Sequence, residues 1–596
     1  MEKTFSFFLI LLITAGMPFS KGIASDITAN DPVTGTVLES YDVGYLGFPV
    51  QIPVQLSANF GELRSNSFHA GIDIRTGGRT GEKVIASADG YVNRIVVSPG
   101  GYGRALYIQH PNGLVTVYAH LDEFEEDLQQ YVINEQYRRR SFNVNIYPPE
   151  GKFTFKKGDF IAYSGNTGSS SGPHLHFEVR DGATHSPINP LLFNFDIPDN
   201  TPPVLYYLAI YPLDNNSFVN GKQESLILPV SGGNGKFRIN APAPEVYGRI
   251  GFGIKANDYI DGSWFRKGAN SVELHVDGNM VYRHEINKFS YSENRYINSL
   301  IDYRERVLNS RNIQRLFIQP NNNLGIYTDH KNYGMSDFRE EGSVPVRINV
   351  KDVAGNSSVL NFNVNSVPLS VEWSSQELPR NFKMIMRYDS PNNFTNDMVK
   401  LTIPEGALYD DLMFEYETSE ASTENIGKIH HIHNRYTPLH LNYELSLRAD
   451  TIPPQLRQKA LLAYIENRGN GNMNISSAGG TWNNGYVTSR TNRFGKYTVM
   501  LDTIPPETVP LNISKNRDMS GETKIRFRIR DELSGIGSYN GYIDGEWVLF
   551  EYDPKNDLLF YRFDPDGTDR GKERELVLKV EDRKGNESVY RVNFDY

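Results

Sequence analysis

Two histidines, two residues apart, open the strand-like stretch HLHFEV (174–179). In an extended chain residues i and i+2 point the same way. His174, His176 and Glu178 therefore share one face, and Leu175, Phe177 and Val179 share the other. The apolar set would face a core and leave the imidazoles facing a cleft or solvent. Imidazole is the commonest zinc ligand, so a pair on one face points toward a metal. A second stretch, FHAGIDI (68–74), sets His69 and Asp73 four apart on one side of an extended segment. A histidine and an aspartate supply a nitrogen and a hard oxygen, both acceptable to zinc. A third, VYAHL (117–121), ends a strand on His120, with Val115, Val117 and Ala119 expected to face the other way.

The surroundings must hold these side chains, and they read as strands. VIASADGYVNRIVV (84–97), RALYIQHPNGLVTVYAHL (104–121) and DFIAYSGNTG (159–168) are short alternating runs broken by Asp-Gly, Asn-Gly and Gly-Asn turns. One segment departs from this pattern. In LDEFEEDLQQYVINEQYRRR (121–140), Leu121, Phe124, Leu128 and Tyr131 recur at helical spacing, with acids first and arginines last. That charge order suits a helix dipole, so a helix is expected between two strands.

The whole composition agrees with a β-rich protein. The chain has 596 residues, 39% hydrophobic and 22% charged, which is globular and long enough for about three to five domains. Gly 51, Pro 32, Tyr 35 and Phe 32 favour short strands joined by turns. With net charge −10 and no long basic run, nucleic-acid binding has no electrostatic support. The absence of cysteine excludes disulfides, thiolate metal sites and a cysteine nucleophile. Lys3, the apolar run FSFFLILLITAG (5–16) and the small residues near Ala24 read as a cleaved signal peptide over 1–25. No later stretch is suited to span a membrane. The expected destination is the periplasm or cell envelope, or secretion.

Punctuation then divides the chain. DNTPPVL (199–205) and DTIPPETVP (502–510) are stiff, proline-marked linkers. DVAGNSSV (352–359) and DRKGNESV (582–589) share Asp-x-x-Gly-Asn-x-Ser-Val. Upstream, Asp258 with Val276-Asp277-Gly278 matches Asp531 with Ile543-Asp544-Gly545. Residues 199–368 and 503–596 therefore read as two copies of one β module, the first carrying insertions. Their last turn resembles that of bacterial immunoglobulin-like sandwiches. Residues 369–502 read as a further β domain of uncertain type, in which KALLAYIEN (459–467) fits a strand or a short helix.

FHAGIDI, YAHL and GNTGSSSGPHLHFEV (165–179), in that order, resemble the lysostaphin-type (LytM-like) zinc endopeptidases that cut peptidoglycan cross-links. The resemblance covers about residues 50–198 and implies an antiparallel β peptidase domain, here 26–198. It places the zinc ligands on His69, Asp73 and His176 and a second, catalytic pair on His120 and His174. Ser171 stands where the family usually has threonine, and the stretch after His120 is longer than usual. Two histidines and a carboxylate leave a tetrahedral zinc one open position for a water of lowered pKa. His120 and His174 are then expected to handle the proton and the developing oxyanion. The implied partner is the peptide cross-link of peptidoglycan, with envelope proteins meeting the C-terminal modules.

Other histidines carry less. HHIH (430–433) is expected to be a solvated strand, and His110 a turn-flanking residue. DPDGTD (564–569) reads as an ordinary turn, because its glycine comes at the fourth position and not at a calcium loop's sixth. Two rival readings remain: a catalytically silent LytM-like scaffold or regulator of other cell-wall hydrolases, and an envelope adhesin acting through its immunoglobulin-like modules.

Overall fold

A computed structural model describes residues 41–42, 44–374, 382–420, 428–468, 472–564 and 571–596. The expected signal peptide, and DPDGTD apart from Asp564, lie outside the described residues. The described chain is mainly β, as expected.

The histidine stretches meet on one antiparallel sheet. Its principal strands are β1 (Leu56–Ala58), β2 (Ile72–Arg75), β3 (Gly90–Val97), β4 (Arg104–Gln109), β5 (Leu114–Leu121) and β6 (His174–Asp181). They lie in the order β1-β2-β6-β5-β4-β3. β6 is central, between β2 and β5. Its Leu175, Phe177 and Val179 are fully buried in a core with Ile72, Ile74 and Tyr118. Each such burial contributes about 1.5–3 kcal/mol. A slip of one residue would exchange the two faces and put His176 into that core, so the alternation fixes the register.

Between β5 and the strand Val144–Ile146 runs helix α1 (Glu126–Arg139). The Glu125 side chain accepts hydrogen bonds from Asp127 N and Leu128 N, and Arg140 ends the helix in the left-handed region. Glu126 and Asp127 open it, and Arg138 and Arg139 close it, as the dipole favours. The helix begins later than the spacing suggests. Leu121 belongs to β5, and Phe124 forms a β-bridge with Ala162, so pairing with neighbouring chain overrides the helical spacing there.

Further hydrophobic clusters gather buried residues within 205–364, 386–497 and 513–596. The two stretches alike in sequence also pair their strands alike. In the first, β7 (Glu245–Asn257) runs into Asp258, and β8 (Gly342–Lys351) and β9 (Ser357–Ser366) form a hairpin across the Asp352 turn. In the second, β10 (Lys524–Arg530) runs into Asp531, and β11 (Glu573–Asp582) and β12 (Glu587–Asp595) form a hairpin at Asp582. Lys236–Ile239 lies parallel to β9 as Arg517–Asp518 lies parallel to β12. Ser271–Val276 pairs with β8 as Ile536–Ile543 pairs with β11.

KALLAYIEN resolves as strand from Ala460 on, within Ala460–Arg468, after a 3-10 turn that ends on Lys459. The HHIH expectation needs correcting. Ile429–Ile432 is a strand, but His430 is buried with Nδ1 2.9 Å from the Tyr416 hydroxyl. The strand is internal to its sheet, paired with Tyr416–Ser419 and with Gly495–Leu501. His110 is also buried, its ring nitrogens bonded to the Asp89 carbonyl and Thr116 Oγ1, both at 2.8 Å.

Candidate metal centre

The register of β6 against β2 sets His176 directly opposite Asp73. Directly opposed residues of an antiparallel pair share a face, so the two side chains meet. His176 Nδ1 lies 2.8 Å from Asp73 Oδ1. His69, just before β2, brings its Nε2 to 3.0 Å from both Asp73 Oδ1 and His176 Nδ1. The close approach needs Gly71: a Cβ there would lie 2.2 Å from the Phe177 carbonyl oxygen. His69, Asp73 and His176 thus offer three donor atoms within 4.8 Å of one another, all from buried residues.

His120 arrives by a different route from the one its spacing suggests. Ala119 lies opposite His176 and Val117 opposite Glu178, so these apolar residues share the histidine face rather than opposing it. With Val115, Ala105 and Tyr107 they form a small separate cluster on that side. His120 reaches the same face because its backbone is left-handed, with φ +60°, beside a register shift between Arg104 and Leu106. Its ring stands 4.9 Å from that of His174 and 5.8 Å from that of His176.

Every one of the four imidazoles has its second nitrogen tied down. His69 Nδ1 is 2.7 Å from the Asn59 carbonyl, and His120 Nδ1 is 2.9 Å from the Thr167 carbonyl. His174 Nδ1 is 2.8 Å from the Gly172 carbonyl, and His176 Nε2 is 2.8 Å from Glu178 Oε1. These partners accept, so with a metal bound each nitrogen facing them would carry the proton and the opposite nitrogen would offer its lone pair. His69 Nε2 and His176 Nδ1, both beside Asp73, are such nitrogens. His174 Nε2 is 3.4 Å from Asp73 Oδ1.

Glu178, which spacing merely placed on the histidine face, is fully buried and saturated. It accepts from Tyr102 at 2.5 Å, Tyr291 at 2.9 Å and Arg180 Nε at 2.7 Å. Burial pushes its carboxyl up, but Arg180 and His176 outweigh that and hold it well below the usual range. Burial would likewise raise Asp73, yet His69 and the bonds from His174 and His176 hold it far down. Burial, reinforced by His176 and His174, lowers His120 to about 3, so it is a neutral imidazole at physiological pH.

Distant chain also enters the site. Tyr291 lies far along the sequence, and nothing in its local pattern marks it. Arg64 donates to Asp73 Oδ2 at 2.8 Å. Phe68 and Ala70, on either side of His69, belong to one apolar cluster with Phe60, Ile286, Phe289 and Ile297. Asn59 exchanges two hydrogen bonds with the Gly268 backbone, both 2.8 Å. From the C-terminal stretch, Glu551 pairs with Arg104 at 2.6 Å, and Lys555 donates to the Asn166 and Ser170 carbonyls.

Residues 67–137, which carry three of the five converging side chains, match the family model described as Peptidase family M23. Residues 383–502 match a Zu5-like domain, which lies within the β stretch left without a type by sequence. The chain is 32% identical over 148 residues to an uncharacterized metalloprotease of Haemophilus influenzae, covering 24% of this chain and 26% of that one. It is 32% identical over 162 residues to the DD-carboxypeptidase/endopeptidase Mpg of Neisseria meningitidis, covering 26% and 31% respectively. It is 34% identical over 116 residues to the murein hydrolase activator NlpD of Escherichia coli, covering 20% and 24%. The chain therefore spans about a third or less of the length of these relatives. No helix among the described residues is long and apolar enough to cross a membrane.

Proposed function

We propose that this chain is an exported zinc endopeptidase that hydrolyses peptide cross-links of peptidoglycan. The observation that carries the reading is the convergence of His69, Asp73 and His176 within 4.8 Å, with the His120 and His174 rings beside them. Two imidazoles and a carboxylate, with acceptors fixing both imidazole tautomers, are a donor set that suits catalytic zinc. His69 Nε2, Asp73 Oδ1 and His176 Nδ1 would hold the ion. When bound, zinc supplies a water of lowered pKa and polarises a carbonyl.

The remaining work falls to side chains. The Nδ1–H of His120 donates to the Thr167 carbonyl, which leaves the Nε2 lone pair to take a proton. His174 has the same tautomer by virtue of Gly172. Either imidazole could take the proton of the attacking water on Nε2, and the imidazolium so formed would then donate from Nε2 to the developing oxyanion. Glu178 fixes His176 without touching substrate. The likeness to a DD-carboxypeptidase/endopeptidase and to a murein hydrolase activator supports the substrate class, and the apolar run at 5–16 supports export.

The test uses purified full-length protein, metal analysis and isolated sacculi. Wild type should carry one zinc per chain at this site and release soluble muropeptides. His69→Ala should lose the zinc and the release together. His174→Ala should keep the zinc and lose release by about 10²–10⁴-fold. A zinc-loaded wild type that releases nothing would sink the enzyme reading. The regulator reading would then stand, favoured by the likeness to NlpD and by Arg64 and Tyr291 reaching into the site.

A further inference from the structure

The geometry points to two calcium sites, one in each copy of the repeated β module, which clamp the linker entering that module. The first gathers Asp199, Asp258 and Asp352, and the second gathers Asp502, Asp531 and Asp582. In each set the three carboxylates offer oxygens within 4.8 Å of one another. The members correspond one to one. Asp199 and Asp502 lie in the proline-marked linkers, Asp258 and Asp531 follow β7 and β10, and Asp352 and Asp582 open the Asp-x-x-Gly-Asn turns.

The supporting framework repeats as well. Asn356 Nδ2 donates to Asp352 Oδ2 at 2.8 Å and to the Asp199 carbonyl at 3.1 Å. Asn586 Nδ2 donates to Asp582 Oδ2 at 2.6 Å and to the Asp502 carbonyl at 3.0 Å. These asparagines hold the linker aspartate against the turn aspartate, which explains the shared Gly-Asn.

Grouped acids alone do not call for an ion, but Asp258 adds a second observation. Its side chain is 3% exposed, and Oδ1 is buried without a hydrogen-bond partner. A buried carboxylate oxygen left so is costly unless it meets a cation. Lys267 is near, yet its ammonium donates to Ser263 Oγ and the Phe265 carbonyl. In the second set Lys584 donates to the Ala460 and Gly480 carbonyls. The donors are all oxygen, and both clusters lack the nitrogen or sulfur that zinc favours. Calcium accepts several carboxylates directly, whereas magnesium holds on to its waters.

The experiment is equilibrium dialysis of the full-length, zinc-replete protein against radioactive calcium, together with thermal unfolding. Wild type should bind two calcium ions per chain, with dissociation constants of order 10⁻⁴–10⁻³ M or tighter. Calcium should raise its unfolding midpoint. Asp258→Asn with Asp352→Asn should bind one, as should Asp531→Asn with Asp582→Asn. All four substitutions together should bind none. In calcium-free buffer the first double variant should unfold no earlier than wild type, because it relieves repulsion. Wild type that binds no calcium at millimolar concentration overturns the proposal. So do folded variants that still bind two ions, or equal displacement by equimolar magnesium. If a variant fails to fold, wild-type stoichiometry and the calcium-dependent midpoint decide.

Discussion

His176 can offer Nδ1 to a metal only if its proton sits on Nε2, and Glu178 holds it there at 2.8 Å. Glu178→Gln would place an amide where an acceptor is needed. Loss of such a partner of a metal-binding histidine costs roughly 10–100-fold in affinity. Zinc competition titrations should show that loss while the far-ultraviolet spectrum stays unchanged. A wild-type affinity would detach Glu178 from the metal centre. At this scale the sequence was generous. The alternation in HLHFEV put both histidines and Glu178 on one face, and the structure keeps them there. What spacing did not carry was the work of Glu178, whose partners Tyr102 and Tyr291 come from elsewhere. Nor did it carry the turn of His120, since a left-handed residue at a strand end leaves no trace in a pattern of period two.

Strands and turns decide whether the ligands meet at all. β2 must lie flush against β6 for Asp73 to face His176, and Gly71 permits this because any Cβ would strike the Phe177 carbonyl oxygen. Gly71→Ala should therefore push the strands apart, destabilising the protein by about 1–3 kcal/mol. It should also weaken zinc binding, although Gly71 is not a ligand. Chemical denaturation and metal analysis together would check this. Unchanged stability with full zinc would show that the backbone yields at no cost. Strand runs and the helix with its charge order were legible from sequence at this level. The boundary of α1 was not, because Leu121 and Phe124 satisfy a helical spacing while neighbouring chain pairs with them. His430 was misread for a related reason: strand alternation says which residues share a face, but not whether another strand covers it.

At the scale of the molecule, the C-terminal stretch grips the site-bearing sheet through Arg104 and Glu551, each side chain 10% exposed. Burial pushes the Glu551 carboxyl up, but Arg104 and Arg562 outweigh it and leave it below its ordinary value. A carboxyl whose folded pKa is depressed stabilises the fold above its unfolded value of 4.5, and that stability fades as pH falls toward the folded value. Glu551→Ala would strand a buried guanidinium and should cost about 3–5 kcal/mol near neutral pH. The difference between variant and wild type should shrink on acidification, as denaturation curves at several pH values would show. An equal difference at every pH would argue against the ion pair. No sequence pattern forecasts this contact, because its partners lie 447 residues apart. The apolar cluster around His69 has a practical consequence of the same kind. Phe68 and Ala70 pack with Ile286, Phe289 and Ile297, so the segment bearing the first histidine is finished by chain from beyond the linker. The histidine-bearing sheet is therefore not a portable cassette. Excised at the linker, it would present a bare greasy face where one ligand's support used to be, and grafting it onto another carrier would mean taking the neighbouring module along.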